Sequence, residues 1–310
     1  MLDVRKLAAL RAVATEGSIA AAARSLRCTR SAVSQQLTAL ESEAGVRLID
    51  RTGNRVRLTR LGEALVEHTE RILAELRAAE ALLDGNSADV TGTLRVGVPF
   101  GEGSALMGRA LRRVQNQHPA LQLQLFSATN QTTEKDLRRE RFDLAVMSRF
   151  GPPWKAAAAG LREWQLGLDP LRVCVPAGHR LAGESSCALA DLRAEPWILS
   201  PTTALGQLTT TLCAAAGFEP KAGALVDDVN TAIGLAARGW GVTIAPELAP
   251  ATPESAIVRL HIRDVEAVRR LVLVARAGEY SSPRIAVVLN AIHEISGGEH
   301  RNPPRLVAAG

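Results

Sequence analysis

Three observations point to an α+β multidomain chain: a winged helix-turn-helix head, a long linker helix, and a two-subdomain α/β body. The 310 residues suffice for two or three domains and a sizeable core. Apolar residues recur at helical spacing through the early chain, then switch to alternating strand and helix segments after the polar, glycine-bounded stretch GNSADVTG at 85–92. Charge is divided unevenly: residues 1–60 hold eleven Arg or Lys against five Asp or Glu, whereas the remaining 250 hold twenty-six against twenty-seven. A basic end on a charge-balanced chain points to nucleic acid at that end.

Composition also excludes several classes. No run approaches the ~18 uninterrupted apolar residues of a membrane span. Asp3, Arg5, Lys6, Arg11 and Glu16 fall where a signal peptide would be apolar, so a cytoplasmic chain without membrane contact is expected. Cys28, Cys174, Cys187 and Cys213 are far apart, with no CxxC pair and no His at metal-ligand spacing, which argues against a disulfide scaffold or a metal site.

Asp3 is suited to cap a first helix that turns Val4, Leu7, Leu10 and Ala14 to one side. Glu16 and Gly17 end it. Ser18 caps a second helix whose Ile19, Ala22, Ala23 and Leu26 follow the spacing of a buried stripe, and its alanines permit close approach by another helix. Thr29 caps a third, with Val33, Leu37, Leu40 and Ala44 inward. On that helix Arg30, Ser31, Ser34, Gln35 and Thr38 share one arc of about 140° opposite the apolar seam. The arc is compact and rich in hydrogen-bonding groups. A helix entering the major groove between two phosphate walls needs such side chains, because they donate and accept at base edges. Two short helices tightly joined, the second bearing this arc, form a helix-turn-helix.

VRLIDRTGNRVRLT then holds two short alternating runs around Thr52, Gly53 and Asn54, the pattern of a hairpin. Arg51, Arg55 and Arg57 cluster at or near its tip and suit phosphates or the adjacent minor groove. The candidate DNA-contacting set is therefore Ser18, Thr29, Arg30, Ser31, Ser34, Gln35, Thr38, Arg51, Arg55 and Arg57. Thr59 caps a long helix with Leu61, Leu65, Ile72, Leu76, Ala79 and Leu83 close to a coiled-coil seam, and His68 in its gap. Such a helix suits pairing with its copy, and a homodimer would present two recognition helices to two half-sites of double-stranded DNA.

These residues resemble the LysR-type bacterial transcriptional regulators. EGSIAAAARSLRCTRSAVSQQLTALESEAGVRLIDRTGNRVRLTRLGEAL carries AVSQQL, LE, GVRL, RT and LT together in that family's register. Where many members have Gln-Pro at the start of the recognition helix, this chain has Arg30 and Ser31, a departure that bears on base preference. The resemblance implies a helix-turn-helix over about 18–37, a periplasmic-binding-protein-like effector domain that binds a small molecule, no cofactor, an interrupted palindrome as DNA target, assembly as homodimer or homotetramer, and RNA polymerase as a further candidate partner.

Beyond the hinge, TLRVGV, a helix to about Gln117, LQLQLF, a helix over Glu134 to Arg141, and FDLAVM read as a largely parallel α/β unit. A second set follows: DPLRVCVP, PWILS, a helix near Leu205 to Ala216, GALVDD, a helix over Asn230 to Arg238, and GVTIAP. RRLVLVAR reads as a strand returning to the first unit. The expected division is 1–60 head, 61–84 linker helix, 85–92 hinge, 93–295 effector domain and 296–310 flexible tail. Subdomain I covers about 93–165 and 269–295, and subdomain II about 166–268.

Ligands of open α/β sheets sit beyond the carboxyl ends of strands, at helix N-termini. The loops placed there supply Phe100, Ser104, Thr129, Asn130, Ser148, Arg149, Thr202 and Thr203 as candidate effector contacts. Each Ser or Thr also suits a helix cap, and Arg149 suits either a ligand carboxylate or a surface salt bridge. The chain lacks GxSxG, Walker and HExxH motifs, and Lys6, Lys135, Lys155 and Lys221 have no cofactor-anchoring context. Two alternatives stand beside the main reading: a redox-responsive regulator using Cys187 and Cys213, and a metabolic enzyme with an accessory DNA-binding head.

Overall fold

A computed structural model describes residues 2–52, 55–84, 90–99, 104–150, 158, 160–249, 256–279 and 282–296. Helix α1 (Val4–Glu16) starts at Asp3, whose side chain accepts from the Arg5 amide at 2.7 Å. Ser18 caps α2 (Ile19–Ser25), and Thr29 caps α3 (Arg30–Ala44). Leu7, Leu10, Val13, Ala22, Ala23, Val33, Leu37 and Leu40 close one core between the three helices. Strands β1 (Ile49–Thr52) and β2 (Arg55–Leu58) form the antiparallel wing, with Ile49 opposite Leu58 and Thr52 opposite Arg55. Glu41 of α3 ties the wing down by accepting from the Leu48 and Ile49 amides at 2.8 and 3.1 Å. Thr59 then accepts from the Gly62 amide and starts α4 (Arg60–Asp84).

The body holds β3 (Gly92–Pro99), α5 (Ser104–Gln117), β4 (Leu121–Ala128), α6 (Thr133–Arg138), β5 (Leu144–Phe150), β6 (Leu161–Pro176), β7 (Ser186–Cys187), β8 (Pro196–Leu199), α7 (Ala204–Ala215), β9 (Lys221–Leu225), α8 (Val229–Ala236), β10 (Thr243–Pro246), β11 (Ile257–Ile262), β12 (Val268–Arg276) and α9 (Pro283–Ser296). The first lobe is the sheet β4-β3-β5-β12 together with the first part of β6; α5 and α9 cover Leu94, Val96, Trp164 and Leu273. The second lobe is built on the rest of β6, which pairs β10 and β11 around a core including Trp197, Phe218 and Ile244.

The expected largely parallel sheet holds only in part. β3 runs parallel to β4 and β5, but β12 is antiparallel to β5 and β6, and β10 and β11 are antiparallel to β6. The reason is connectivity: β6 crosses from one lobe to the other, and the segment from β11 to β12 returns. β6 also begins at Leu161 and runs 16 residues, well before the DPLRVCVP segment expected to be a strand. Its alternation is masked in sequence because Glu163, an inward position 2% exposed, is charged. α6 stops at Arg138, short of the expected Arg141, because Glu140 adopts a left-handed φ of 58°. The tail residues 297–310, the hinge residues 85–89 and Phe100 lie outside the described residues. Among the described residues no helix is long and apolar enough to cross a membrane.

Candidate functional sites: a recognition helix and an interlobe cleft

On α3, Val33, Leu37 and Leu40 are buried while Arg30, Ser31, Gln35 and Thr38 are exposed and Ser34 is half-buried. The polar arc thus faces away from the core. Thr29 accepts from the Ala32 amide at 3.2 Å and lies 2.9 Å from the Ser31 hydroxyl, so this pair is partly committed to starting the helix. Ser18 likewise accepts from the Ala21 amide at 3.2 Å and opens α2. In the wing, Arg51 lies opposite Val56, Arg55 opposite Thr52, and the exposed Arg57 opposite Asp50.

Between the lobes lies a cleft of ≈ 730 Å³ that brings together Thr129, Asn130, Ser148, Thr202 and Thr203. Most of these polar groups already have partners. Asn130 clamps the end of β5, donating to the Ser148 carbonyl at 2.9 Å and accepting from its amide at 3.0 Å. Thr203 caps α7, accepting from the Gly206 amide at 3.1 Å. Thr202 donates to Asp227 at 2.6 Å, and Gln131 reaches across from the first lobe to donate to the Thr202 carbonyl at 2.6 Å.

Arg149 is not among the residues lining the cleft. Its guanidinium is held by Glu134 at 2.7 Å and by the buried Glu163, an ion-paired arrangement. Ser104 is the first residue of α5. Among the described residues, the cation lining the cleft is Arg269, 2% exposed. It donates from Nε and Nη2 to Asp169 at 2.8 and 2.6 Å and from Nη1 to the Ser148 hydroxyl at 3.2 Å. Asp169 in turn accepts from the Leu248 amide at 3.1 Å. Burial pushes the Asp169 carboxyl up to about 6 and Arg269 down to about 9. The sequence signal for Arg269 was slight: a pair of arginines opening an otherwise apolar strand.

Cys187 and Cys213 are both fully buried in the second lobe's core, and burial pushes their thiols up to about 11 and about 12. Both are therefore thiols at neutral pH, the form that does not attack an oxidant. Among the described residues no group of three or more His, Cys, Asp or Glu is placed to hold a metal ion.

Asp143 supports the first lobe. Burial works to raise its pKa, but hydrogen bonds from the Arg95 side chain and amide at 2.7 and 2.8 Å, with the charge of Arg276, hold it below the ordinary 3.8. A depressed carboxylate contributes stability above its unfolded value that is lost as pH falls through the folded one. Asp143→Asn is accordingly expected to lower stability at neutral pH and to flatten the loss of stability below about pH 4, read by urea unfolding across pH. An unchanged acid limb would contradict this.

The description "Bacterial regulatory helix-turn-helix protein, lysR family" matches residues 4–63, and "LysR substrate binding domain" matches residues 87–296. This chain belongs to the LysR family. Among its relatives, the HTH-type transcriptional regulator TdfR of Cupriavidus pinatubonensis is 30% identical over 250 residues, 79% of this chain and 82% of that protein. The HTH-type transcriptional regulator ShiR of Corynebacterium glutamicum is 29% identical over 246 residues, 78% of this chain and 82% of that one. A single-residue variant of full-length OxyR from Pseudomonas aeruginosa superposes with a TM-score of 0.65 at 20% identity, covering 94% of this chain and 98% of that one, a likeness of fold. The LysR assignment makes the chain a DNA-binding transcription regulator with an effector-binding domain. Both TdfR and ShiR are named as transcriptional regulators.

Proposed function

We propose that this LysR-family regulator acts in the cytoplasm, reads an interrupted palindrome as a homodimer or dimer of dimers, and is switched by a small molecule bound in the interlobe cleft. The observation that carries the reading is α3, apolar inward and compactly polar outward. Ser31, Ser34, Gln35 and Thr38, with Arg30, face base edges or adjoining phosphates, while Arg51, Arg55 and Arg57 hold the backbone beside them. Ser18 and Thr29 open the two helices of the motif and present their free amides to phosphate. RNA polymerase is the partner to which a bound dimer passes its effect.

Support for the dimer comes from α4, which leaves Leu61, Ile72 and Leu76 at 57, 38 and 42% exposure on one seam. Ile72→Asp with Leu76→Asp is expected to shift the chain to monomer in analytical ultracentrifugation. Retention of the dimer would remove α4 from the interface. An effector shifts the arrangement of the lobes only if it binds the two arrangements with different affinity. The Gln131 to Thr202 hydrogen bond, which spans the cleft, is one contact such a ligand would compete with.

The test is footprinting on the chain's own upstream DNA. Gln35→Ala is expected to reduce discrimination between specific and random DNA by about 1–3 kcal/mol. Equal losses on both would make Gln35 a phosphate contact. Arg57→Ala is expected to weaken binding on all sequences and reduce the salt slope by about one.

A further inference from the structure

The head, α4 and the first lobe meet at a junction that neither the recognition helix nor the cleft uses. α1 brings Arg11 and Glu16, α4 brings Glu70 and Arg77, and the turn after α6 brings Arg139 and Glu140. Arg139 pairs with Glu16. Arg11 lies 3.9 Å from Glu70 and 3.6 Å from Glu140, and Arg77 lies 4.0 Å from the same Glu140 oxygen. One cation and one anion from each of α1, α4 and the turn thus enter ion pairs along this junction. Arg11 is 8% exposed and Glu70 5%.

Close backbone approach fits the first lobe to α4 at this junction. A Cβ on Gly278 would stand 2.0 Å from the Ala74 carbonyl of α4, and one on Gly160 would stand 2.6 Å from the Glu70 carboxylate. The turn itself is pinned from behind. Arg276, at the end of β12, donates to the Leu137 and Phe142 carbonyls, each at 2.6 Å, and to Asp143 and Glu279 at 3.0 and 2.8 Å.

Yet the interface is poorly closed. Nε and Nη1 of Arg11 and Nε and Nη2 of Arg77 are buried with no hydrogen-bond partner among the described residues. A permanent interface would be apolar, because desolvated charges with incomplete partners are costly to hold together. Two charged faces are, conversely, stable in water when apart.

We infer that the turn over residues 138–141 is a docking surface for the DNA-binding head of the same chain, closed by a releasable ion-pair latch beside the α4 contact made by Gly160 and Gly278. Its consequence for regulation rests on the DNA-reading role proposed above. β12 carries Arg269 at the cleft and Arg276 behind the junction, about 23 Å apart along one strand. Cleft and latch therefore share a rigid element, and the pitch of α3 follows from whether the latch is closed.

The test uses the full chain and three forms: wild type, Arg139→Glu, and the swap Glu16→Arg with Arg139→Glu. Hydrogen exchange without DNA is expected to run at least tenfold faster in the last turn of α1 and in the 137–141 turn of Arg139→Glu, and to return to the wild-type rate in the swap. Unchanged exchange in Arg139→Glu overturns the docking, and so does a swap that fails to restore protection. Affinity for upstream DNA is expected to change at least fivefold in Arg139→Glu and to recover in the swap. Equal affinity in all three forms overturns the regulatory role, while the exchange result stands independently of whether α3 reads DNA.

Discussion

Arg269→Met is expected to lower effector-domain stability by about 3–5 kcal/mol, because it leaves the buried Asp169 carboxylate without its cation. Asp169 is fully buried, and the Leu248 amide is among the partners it keeps in that exchange. The penalty is mostly that of stranding a charge. Combining Arg269→Met with Asp169→Asn should therefore recover most of the loss, since Asn keeps an acceptor for the Leu248 amide and carries no charge. Urea unfolding followed by tryptophan fluorescence reads the difference, because Trp164 and Trp197 sit in the two lobes. A single variant within about 1 kcal/mol of wild type would mean that water reaches the pair. Arg269 also touches Ser148, so the same variant should lose the response of DNA binding to any ligand that occupies the cleft.

Leu37→Ala is expected to cost about 2–5 kcal/mol, since Leu37 is 1% exposed in the core of the head. A domain of about sixty residues has little more stability than that to lose. The variant should lose specific and random DNA binding together, with the head unfolding in a transition of its own and the effector domain unaffected. Gln35→Ala, two residues away on the opposite arc, should leave the fold intact and change only which DNA is preferred. A Leu37→Ala head that melts with wild-type cooperativity would contradict this separation of packing from reading.

The contrast between these two helical positions explains why the head was so legible. Whether a residue on α3 faces the core or solvent follows from 3.6-residue periodicity and from caps within a few positions, so Leu37 and Gln35 sort themselves without knowledge of the rest of the chain. Ser18, Thr29 and Thr59 are caps for the same local reason. Strand-helix alternation likewise revealed most elements of the body. It missed β11, whose Arg259 and His261 interrupt the apolar pattern, and the early part of β6, where Glu163 stands at a buried position.

The polar chemistry of the body followed another rule. Arg149 and Arg269 are both arginines near strand ends, and sequence favoured the first as a ligand contact. Arg149 is occupied by Glu134 and Glu163, whereas Arg269 reaches the cleft only because Asp169, 100 residues away, and Ser148, 121 residues away, meet it there. Glu16 and Arg139 are separated by 123 positions and Arg276 and Leu137 by 139. No local pattern encodes such pairs.

By itself, then, the sequence determined the helix-turn-helix, its polar arc, the wing, the linker helix and the two-lobed body, because these arise from backbone periodicity and from interactions a few residues long. Only the tertiary structure decided which cation stands at the cleft, how the strands cross between lobes, and that Arg139 of the first lobe pairs with Glu16 of the head. Those outcomes depend on charges being buried together across the chain, where desolvation makes the choice of partner matter most.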